Sequence, residues 1–523
     1  MKVLFRADAS FQIGSGHVIR CITLAKALRE RGAECRFVFR DHEGNLSEYA
    51  RKQGFHVDLL PMTDDGVSSS GGLKGITPYS LWLGATQDRD AGETIQCLSG
   101  SSMDWVVVDH YGIDRQWESR LRNYTNRILV IDDLANRHHD CDVLLDQNLI
   151  KDFQCRYDAL VPENCAKLLG PEYAILQSEY SDLHTRTPPR IGPVSRILVY
   201  FGAADVNNLT ALTLEALGDP RFEAVDIDVV VNPQSPNYDK VCRVATGNSR
   251  IHIHEDLPSL APLMMKADLA IGAAGATSWE RCCLGLPAVV VTVADNQLPI
   301  ADELHERMLA TWISNHLNFN VDLMRNAVLK SLEDEDLLYH RSVKCLKLVD
   351  GQGVKRVSER IMLSSETELV TRLANLSDET LLLRWANDPL VRKNSFNSLA
   401  IDSDTHKRWF YRRLRDPGHT SIYIVLTADG LPIGQVRFEV REDGWEIDYS
   451  LDRMARGRGL GIKLLEIAMS EFQMRHPGSD IFAKVKADNL ASISLLEKLG
   501  FHEHSQGSEK SLKVFRLVDK AFE

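Results

Sequence analysis

A short apolar strand that runs into a glycine turn and then an amphipathic helix limits the folds open to this chain more than any other feature. Val3-Leu4-Phe5 supplies the strand, and Ile13-Gly14-Ser15-Gly16-His17 supplies the turn. In residues 18–29, Val18, Cys21, Ile22, Ala25 and Leu28 recur at helical spacing and give one buried face. Further strands are expected over 35–39, 105–109 and 128–132, with a helix over 116–123. Such alternation predicts a mostly parallel sheet covered on both faces. The stretch 64–75, rich in Ser and Gly, reads as a mobile loop.

The pattern then starts again. Thr187-Pro188-Pro189-Arg190-Ile191-Gly192-Pro193 reads as a linker. A strand over 197–201 enters the turn Gly202-Ala203-Ala204-Asp205, and a helix over 210–217 follows. More strands are expected at 227–231, 251–254, 267–271 and 288–293. Ligands of such sheets sit at the carboxyl ends of the strands, so two units of this kind place a cleft between those ends.

Beyond a helical stretch at 346–362 the character changes. Segments 421–426 and 433–439 flank Ala428-Asp429-Gly430, a hairpin signal, and the unit reads as α+β. A strand ends near Leu451, and the loop Arg456-Gly457-Arg458-Gly459-Leu460-Gly461 opens a helix over 462–472. Closely spaced amides at such a turn bind pyrophosphate, and Arg456 and Arg458 add positive charge. After a strand at 481–485 comes Asp488-Asn489-Leu490-Ala491-Ser492. The expected units are therefore 1–190, 191–350 and 366–523, α/β overall.

Composition narrows the function. The chain has 523 residues, 44% hydrophobic and 26% charged, with a formal net charge of −12. Each unit can bury a core, and the acidic balance argues against general nucleic-acid binding. Arg6 and Asp8 interrupt the N-terminus, and no run approaches the roughly 18 apolar residues of a membrane span. A cytoplasmic protein is expected. The ten cysteines form no CxxC pair, and Cys282-Cys283 reads as two small buried residues. His138-His139 with Asp140, and His252 with His254, lack a full ligand set, so no metal is expected.

Two glycine turns carry the chemistry of the first half. At Gly14 and Gly16 the backbone can approach a ligand, and the helix start favours phosphate. His17 follows, the side chain best suited to accept a proton near neutral pH. From the residues alone, His17 reads as readily as a base as it does as a helix cap or phosphate donor. The second turn, Gly272 to Glu280, offers the amides of Gly275, Ala276 and Thr277 to a diphosphate. Glu280 reads either as an acceptor for both ribose hydroxyls or as a first-turn carboxylate stabilising the helix dipole. One turn per unit points to a nucleotide sugar in the cleft.

These pieces resemble the GT-B superfamily. They are more similar to the pseudaminic-acid pathway hydrolases, which remove UDP from UDP-2,4-diacetamido-2,4,6-trideoxy-β-L-altropyranose. The matching segments are Arg6 to Ser10, Ile13 to Arg20, Val108-Asp109-His110-Tyr111-Gly112, Phe201 to Asp205 with Asn207-Asn208-Leu209, Gly275 to Glu280, and Asp295-Asn296-Gln297. The resemblance implies a GT-B-like pair of Rossmann-like units with His17 as the general base that activates water. It places Asp109 and Tyr111 at the sugar, Glu280 on the ribose, and Asn296 and Gln297 along UDP. Gly202 falls in a matched turn of the UDP unit, His254 and its neighbours present backbone to uracil, and no metal is required.

The third unit resembles the GNAT acetyltransferases, which use acetyl-CoA. Leu451, Arg456, Gly457, Arg458, Gly459 and Gly461 fall at the acetyl-CoA loop, and Asn489 and Ser492 in its second cofactor motif. Trp385-Ala386-Asn387-Asp388-Pro389 and His406-Lys407-Arg408-Trp409 are similar to the subgroup acting on amino sugars or protein N-termini. One departure is Leu496, where many members carry a tyrosine that protonates the thiolate. Glu446, Asp448 and Tyr449 are candidates for the base or for substrate contact. Together the resemblances imply N4-acetylation of a UDP-4-amino sugar followed by UDP removal, for a nonulosonic acid of surface glycans or flagellin. UDP-sugar, acetyl-CoA and other pathway enzymes are the implied partners. A GT-B glycosyltransferase with a CoA-binding or interaction module is the alternative.

Overall fold

The computed structural model describes residues 1–63, 79–202, 205–255, 257–506 and 512–517. The Ser/Gly-rich stretch 64–75 and the pair Ala203-Ala204 lie outside the described residues. The polypeptide forms two compact units, Met1–Ser358 and Glu359–Glu523.

The first unit holds two parallel sheets. Strands β1 (Lys2–Ala7), β2 (Glu34–Arg40), β3 (His56–Leu60), β4 (Met103–Asp109), β5 (Thr125–Ile131), β6 (Val143–Asp146) and β7 (Ala166–Leu169) form a seven-stranded sheet in the order β3-β2-β1-β4-β5-β6-β7. Its order reverses at β1/β4, where Ala7 lies opposite Asp109, so the switch point is beside those two strand ends. Helix α1 (Gly16–Glu30) leaves this point and buries Val18, Cys21, Ile22, Ala25 and Leu28, the face its spacing predicts, together with Leu24. Both faces of the sheet are covered, as its near-continuous apolar strands require.

The second sheet contains β8 (Arg196–Tyr200), β9 (Asp226–Val230), β10 (Ile251–His254), β11 (Leu269–Ala273), β12 (Ala288–Thr292) and β13 (Thr311–Asn315), in the order β10-β9-β8-β11-β12-β13. Helix α2 (Thr277–Cys283) follows β11 and buries Trp279, Cys282 and Cys283. Trp279 is fully buried, and its indole donates to Asn148 Oδ1 at 3.2 Å, joining the second sheet's helix to the first half of the unit. The expected helical stretch 346–362 is two helices, Glu335–Leu348 and Gly353–Met362. The break falls at Gly351, whose φ of +73° no helix accommodates.

The second unit is a mixed sheet. Strands β14 (Leu369–Leu373), β15 (Thr420–Thr427), β16 (Pro432–Arg441), β17 (Gly444–Leu451), β18 (Ile481–Lys486), β19 (Phe501–Gln506) and β20 (Leu512–Leu517) lie in the order β14-β15-β16-β17-β18-β20-β19. The predicted hairpin joins β15 to β16. All neighbours are antiparallel except β17 and β18, which pair only at Trp445–Ile481 and Glu446–Phe482. Beyond that point the two strands splay apart. Helices α3 (Leu460–Arg475) and α4 (Leu490–Lys498) flank the opening.

Candidate functional site

In the first unit the site grows from the ends of β1 and β4. Gly14 holds a φ of +82°, which turns the chain into α1, and neither Gly14 nor Gly16 has an atom within 4 Å of where a side chain would begin. No side chain caps the start of α1, and its first turn carries no acid, so the helix start keeps its partial positive charge. His17 Nδ1 lies 2.6 Å from Asp109 Oδ1. Arg20, one turn on, donates to both Asp109 oxygens at 2.5 and 2.6 Å. Burial opposes the Asp109 charge, but Arg20 and then His17 outweigh it and hold the carboxyl well below its usual range. An ionised Asp109 accepts only, so the neutral imidazole places its proton on Nδ1 and leaves Nε2 as the acceptor. Nε2 bonds to no other described residue.

Tyr111 closes this site. Its ring packs edge-on against His17 with centroids 4.6 Å apart. Its hydroxyl donates to Asp133 Oδ2 at 2.6 Å, and Asn296 Nδ2 approaches it at 3.4 Å. Burial, reinforced by Asp133, keeps this phenol protonated far above its ordinary range. Tyr79 and Trp82 extend the aromatic wall, with centroids 5.1 and 5.8 Å from Tyr111. Asn296 thus brings the rim of the second sheet to the rim of the first.

The second glycine turn sits at the end of β11. Gly275 faces Gln297, whose Nε2 is 3.2 Å from where a Cβ would stand. Ala276 is exposed and Thr277 begins α2 with no side-chain cap. Glu280 accepts from the Tyr180 hydroxyl at 3.0 Å. Burial pushes the Glu280 carboxyl up to about 7 even though the Tyr180 bond works the other way. Gly202 follows β8, with a φ of +101° and open space beside it. Asp205 caps the next helix through the amides of Leu209 and Thr210, each at 2.9 Å. His254 ends the edge strand β10, three strands and so roughly 14 Å from β11. Its side chain is held by Asp228 at 2.7 Å and its carbonyl by Val231 N at 3.1 Å.

Among the described residues, no group of three or more His, Cys, Asp or Glu is placed to hold a metal, and no helix is long and apolar enough to cross a membrane. His139, adjacent to His138 in the sequence, lies between Glu118 at 2.7 Å and Asp132 at 3.9 Å.

In the second unit the splay of β17 from β18 opens a cavity of about 800 Å³. Leu451, Arg456, Gly457, Gly459, Gly461, Asn489 and Ser492 line it. Gly459, at φ +75°, caps α3 in the left-handed conformation. A side chain on Gly461 would begin 2.6 Å from Leu495 Cδ1, so only glycine lets the helix start meet α4 there. Asn489 caps α4 by accepting from Ser492 N at 3.3 Å and donates to Ser492 Oγ at 2.9 Å. These open amides and this volume fit a pyrophosphate-bearing cosubstrate such as acetyl-CoA.

Two expectations change here. Arg458 does not add charge to the loop's open face. It is buried, does not line the cavity, and donates to the carbonyls of Ile361 and Leu363 at 2.9 and 2.7 Å, so its side chain ties the loop to the segment before β14. Arg456 does line the cavity, but its guanidinium also ties Leu451 O to Asp388, so it builds the loop. Leu496 is wholly buried and does not line the cavity, whereas Leu495 does. Of the three strand candidates, Asp448 and Tyr449 line the cavity. Glu446 is instead bound to Arg441 at 2.7 Å. Sequence reasoning missed Asp133, Tyr180, Trp82 and Asn148, whose roles depend on contacts between distant segments.

Comparison with known proteins agrees with this division. Residues 368–502 match the acetyltransferase (GNAT) domain family. An uncharacterized protein of Methanocaldococcus jannaschii is 22% identical across 97% of this chain and 98% of its own length. The UDP-2,4-diacetamido-2,4,6-trideoxy-beta-L-altropyranose hydrolase of Campylobacter jejuni is 25% identical, over 60% of this chain and 96% of its own. The spore coat polysaccharide biosynthesis protein SpsG of Bacillus subtilis is 22% identical, over 68% and 97%. The chain thus carries a GNAT domain at its C-terminal end after a region homologous to the Campylobacter hydrolase and SpsG.

Proposed function

We propose that the chain is a bifunctional nucleotide-sugar enzyme. Its second unit transfers acetyl from acetyl-CoA to the 4-amino group of UDP-4-amino-4,6-dideoxy-N-acetyl-β-L-altrosamine. Its first unit hydrolyses the product, UDP-2,4-diacetamido-2,4,6-trideoxy-β-L-altropyranose, to the free sugar and UDP. The observation that carries the reading is the His17–Asp109 pair at 2.6 Å, with Nε2 left as acceptor at the switch point. Homology to the Campylobacter hydrolase and the GNAT domain supports it.

In hydrolysis, His17 Nε2 takes a proton from water as the oxygen bonds to the anomeric carbon. The bond from that carbon to the diphosphate oxygen breaks, and its electron pair leaves with UDP. Asp109 holds the imidazolium that forms. The starts of α1 and α2, at Gly14, Gly16, Gly275, Ala276 and Thr277, stabilise the diphosphate. Each contributes only about 0.3–2 kcal/mol, so several act together. Tyr111 orients the sugar, Glu280 accepts the ribose hydroxyls, and Asn296 and Gln297 hold UDP. Gly202 leaves room beside the nucleotide, and the backbone after His254 meets uracil. In the second unit, acetyl-CoA supplies an activated acyl group. Leu451, Arg456, Gly457, Gly459, Gly461, Asn489 and Ser492 bind and orient it, and the backbone of Arg458 completes the loop.

The test is His17→Ala in the full chain. UDP release from the diacetamido substrate is expected to fall by about 10²- to 10⁴-fold while acetylation of the 4-amino sugar keeps its rate. Undiminished UDP release would remove His17 from the mechanism.

A further inference from the structure

The strand β17 carries Asp448 and Tyr449 next to each other, so their side chains leave opposite faces of the sheet. In an intact sheet, two such residues could not serve one reaction. Here β17 and β18 separate after Glu446, and a single cavity passes through the gap. On one face it is lined by Leu382, His406 and Trp409, on the other by Gly461, Ser492 and Leu495. Asp448 belongs to the first set, held by Gln435 Nε2 at 3.2 Å. Tyr449 belongs to the second, beside the Ser492 side chain. Its hydroxyl is sheltered from water and, with the Ser492 hydroxyl as a near neighbour, makes no well-formed hydrogen bond within the described residues. A buried hydroxyl with no partner is costly, by about 1–3 kcal/mol, which a bound ligand can relieve.

We propose that Tyr449 protonates the thiolate that leaves during acetyl transfer. The inference rests on the acetyltransferase reading given above. The neutral amine, on the Asp448 face, forms the C–N bond to the acetyl carbon. The C–S bond breaks, its electron pair goes to sulfur, and sulfur takes the proton of the Tyr449 hydroxyl. The proton lost by the amine passes to Asp448 and solvent, and solvent returns one to the phenolate. The products are the N-acetyl sugar and free CoA. Leu496, wholly buried, leaves this task to the opposite wall of the gap.

The experiment compares wild type with Tyr449→Phe in the full chain, titrating each with CoA and with desulfo-CoA, which lacks only the sulfur. Acetylation of the 4-amino sugar is followed in parallel. Loss of one hydrogen bond to sulfur is expected to weaken CoA binding about 3- to 10-fold and to leave desulfo-CoA binding unchanged. The kcat of acetylation is expected to fall about 100-fold. Equal affinity of both proteins for CoA overturns the proposal, even if acetylation slows. So does an equal loss for CoA and desulfo-CoA, which would make Tyr449 a support for the pantetheine arm. A wild type that binds neither ligand overturns the acetyltransferase reading itself.

Discussion

If Glu280 holds the ribose as proposed, its charge state links UDP binding to pH. Free of ligand, its carboxyl is raised by burial to about 7. Ribose hydroxyls donate to a carboxylate, so bound UDP favours the ionised form. Affinity for UDP should therefore be constant above about pH 7 and fall as pH drops below it, with a proton released on binding. Titration calorimetry in two buffers of different ionisation heat checks this. Glu280→Gln should flatten the pH dependence and lower affinity near pH 8 by about tenfold, the effect of one charge-assisted hydrogen bond. An unchanged pH profile in the variant would place the ribose elsewhere. At the same scale, His17 owes its tautomer to Asp109, and Asp109 owes its ionisation to Arg20. The three residues lie on two elements, His17 and Arg20 standing 92 and 89 positions before Asp109 in the sequence.

Elements were legible where pattern is local. The strand–turn–helix at Val3 to Arg29 and the glycine loop before α3 can be read from spacing, because each depends on a glycine-permitted turn and one buried face. Strands β6 and β7 were missed. They are four residues each, and only the sheet beside them makes them strands. Arg458 was misread for a related reason: a basic residue in a phosphate-binding loop looks like a ligand, and only the fold shows it turned toward Ile361 and Leu363. His139, on the segment between β5 and β6, shows what such elements contribute to stability. Burial disfavours its charge, but the nearby Asp132 carboxylate and the hydrogen bond the ring donates to Glu118 prevail and raise it to about 9. Its contribution should be complete below the unfolded value near 6.5 and be lost as pH rises through about 9, on the order of 3 kcal/mol in all. The midpoint of thermal unfolding should fall over that window in wild type, and much less in His139→Asn. A parallel fall in both would show that another group sets the alkaline limit.

At the scale of the whole molecule, the proposed function assigns one reaction to each of two compact units of one chain. Each unit keeps its own chemistry: a His–Asp pair at parallel strand ends in one, a cavity through a splayed sheet in the other. On the proposed reading the two act in a fixed order. If acetylation makes the substrate of hydrolysis, the chain given UDP-4-amino-4,6-dideoxy-N-acetyl-β-L-altrosamine should release UDP only when acetyl-CoA is also present. Gly461→Val, whose side chain meets Leu495, should abolish UDP release from the 4-amino sugar even with acetyl-CoA by stopping acetylation, yet leave hydrolysis of the pre-acetylated sugar intact. The direct measurement is UDP release from the 4-amino sugar with and without acetyl-CoA. A lag is expected, then release that follows the acetylated intermediate, and none above background without acetyl-CoA. Release at the same rate in its absence would rule that order out.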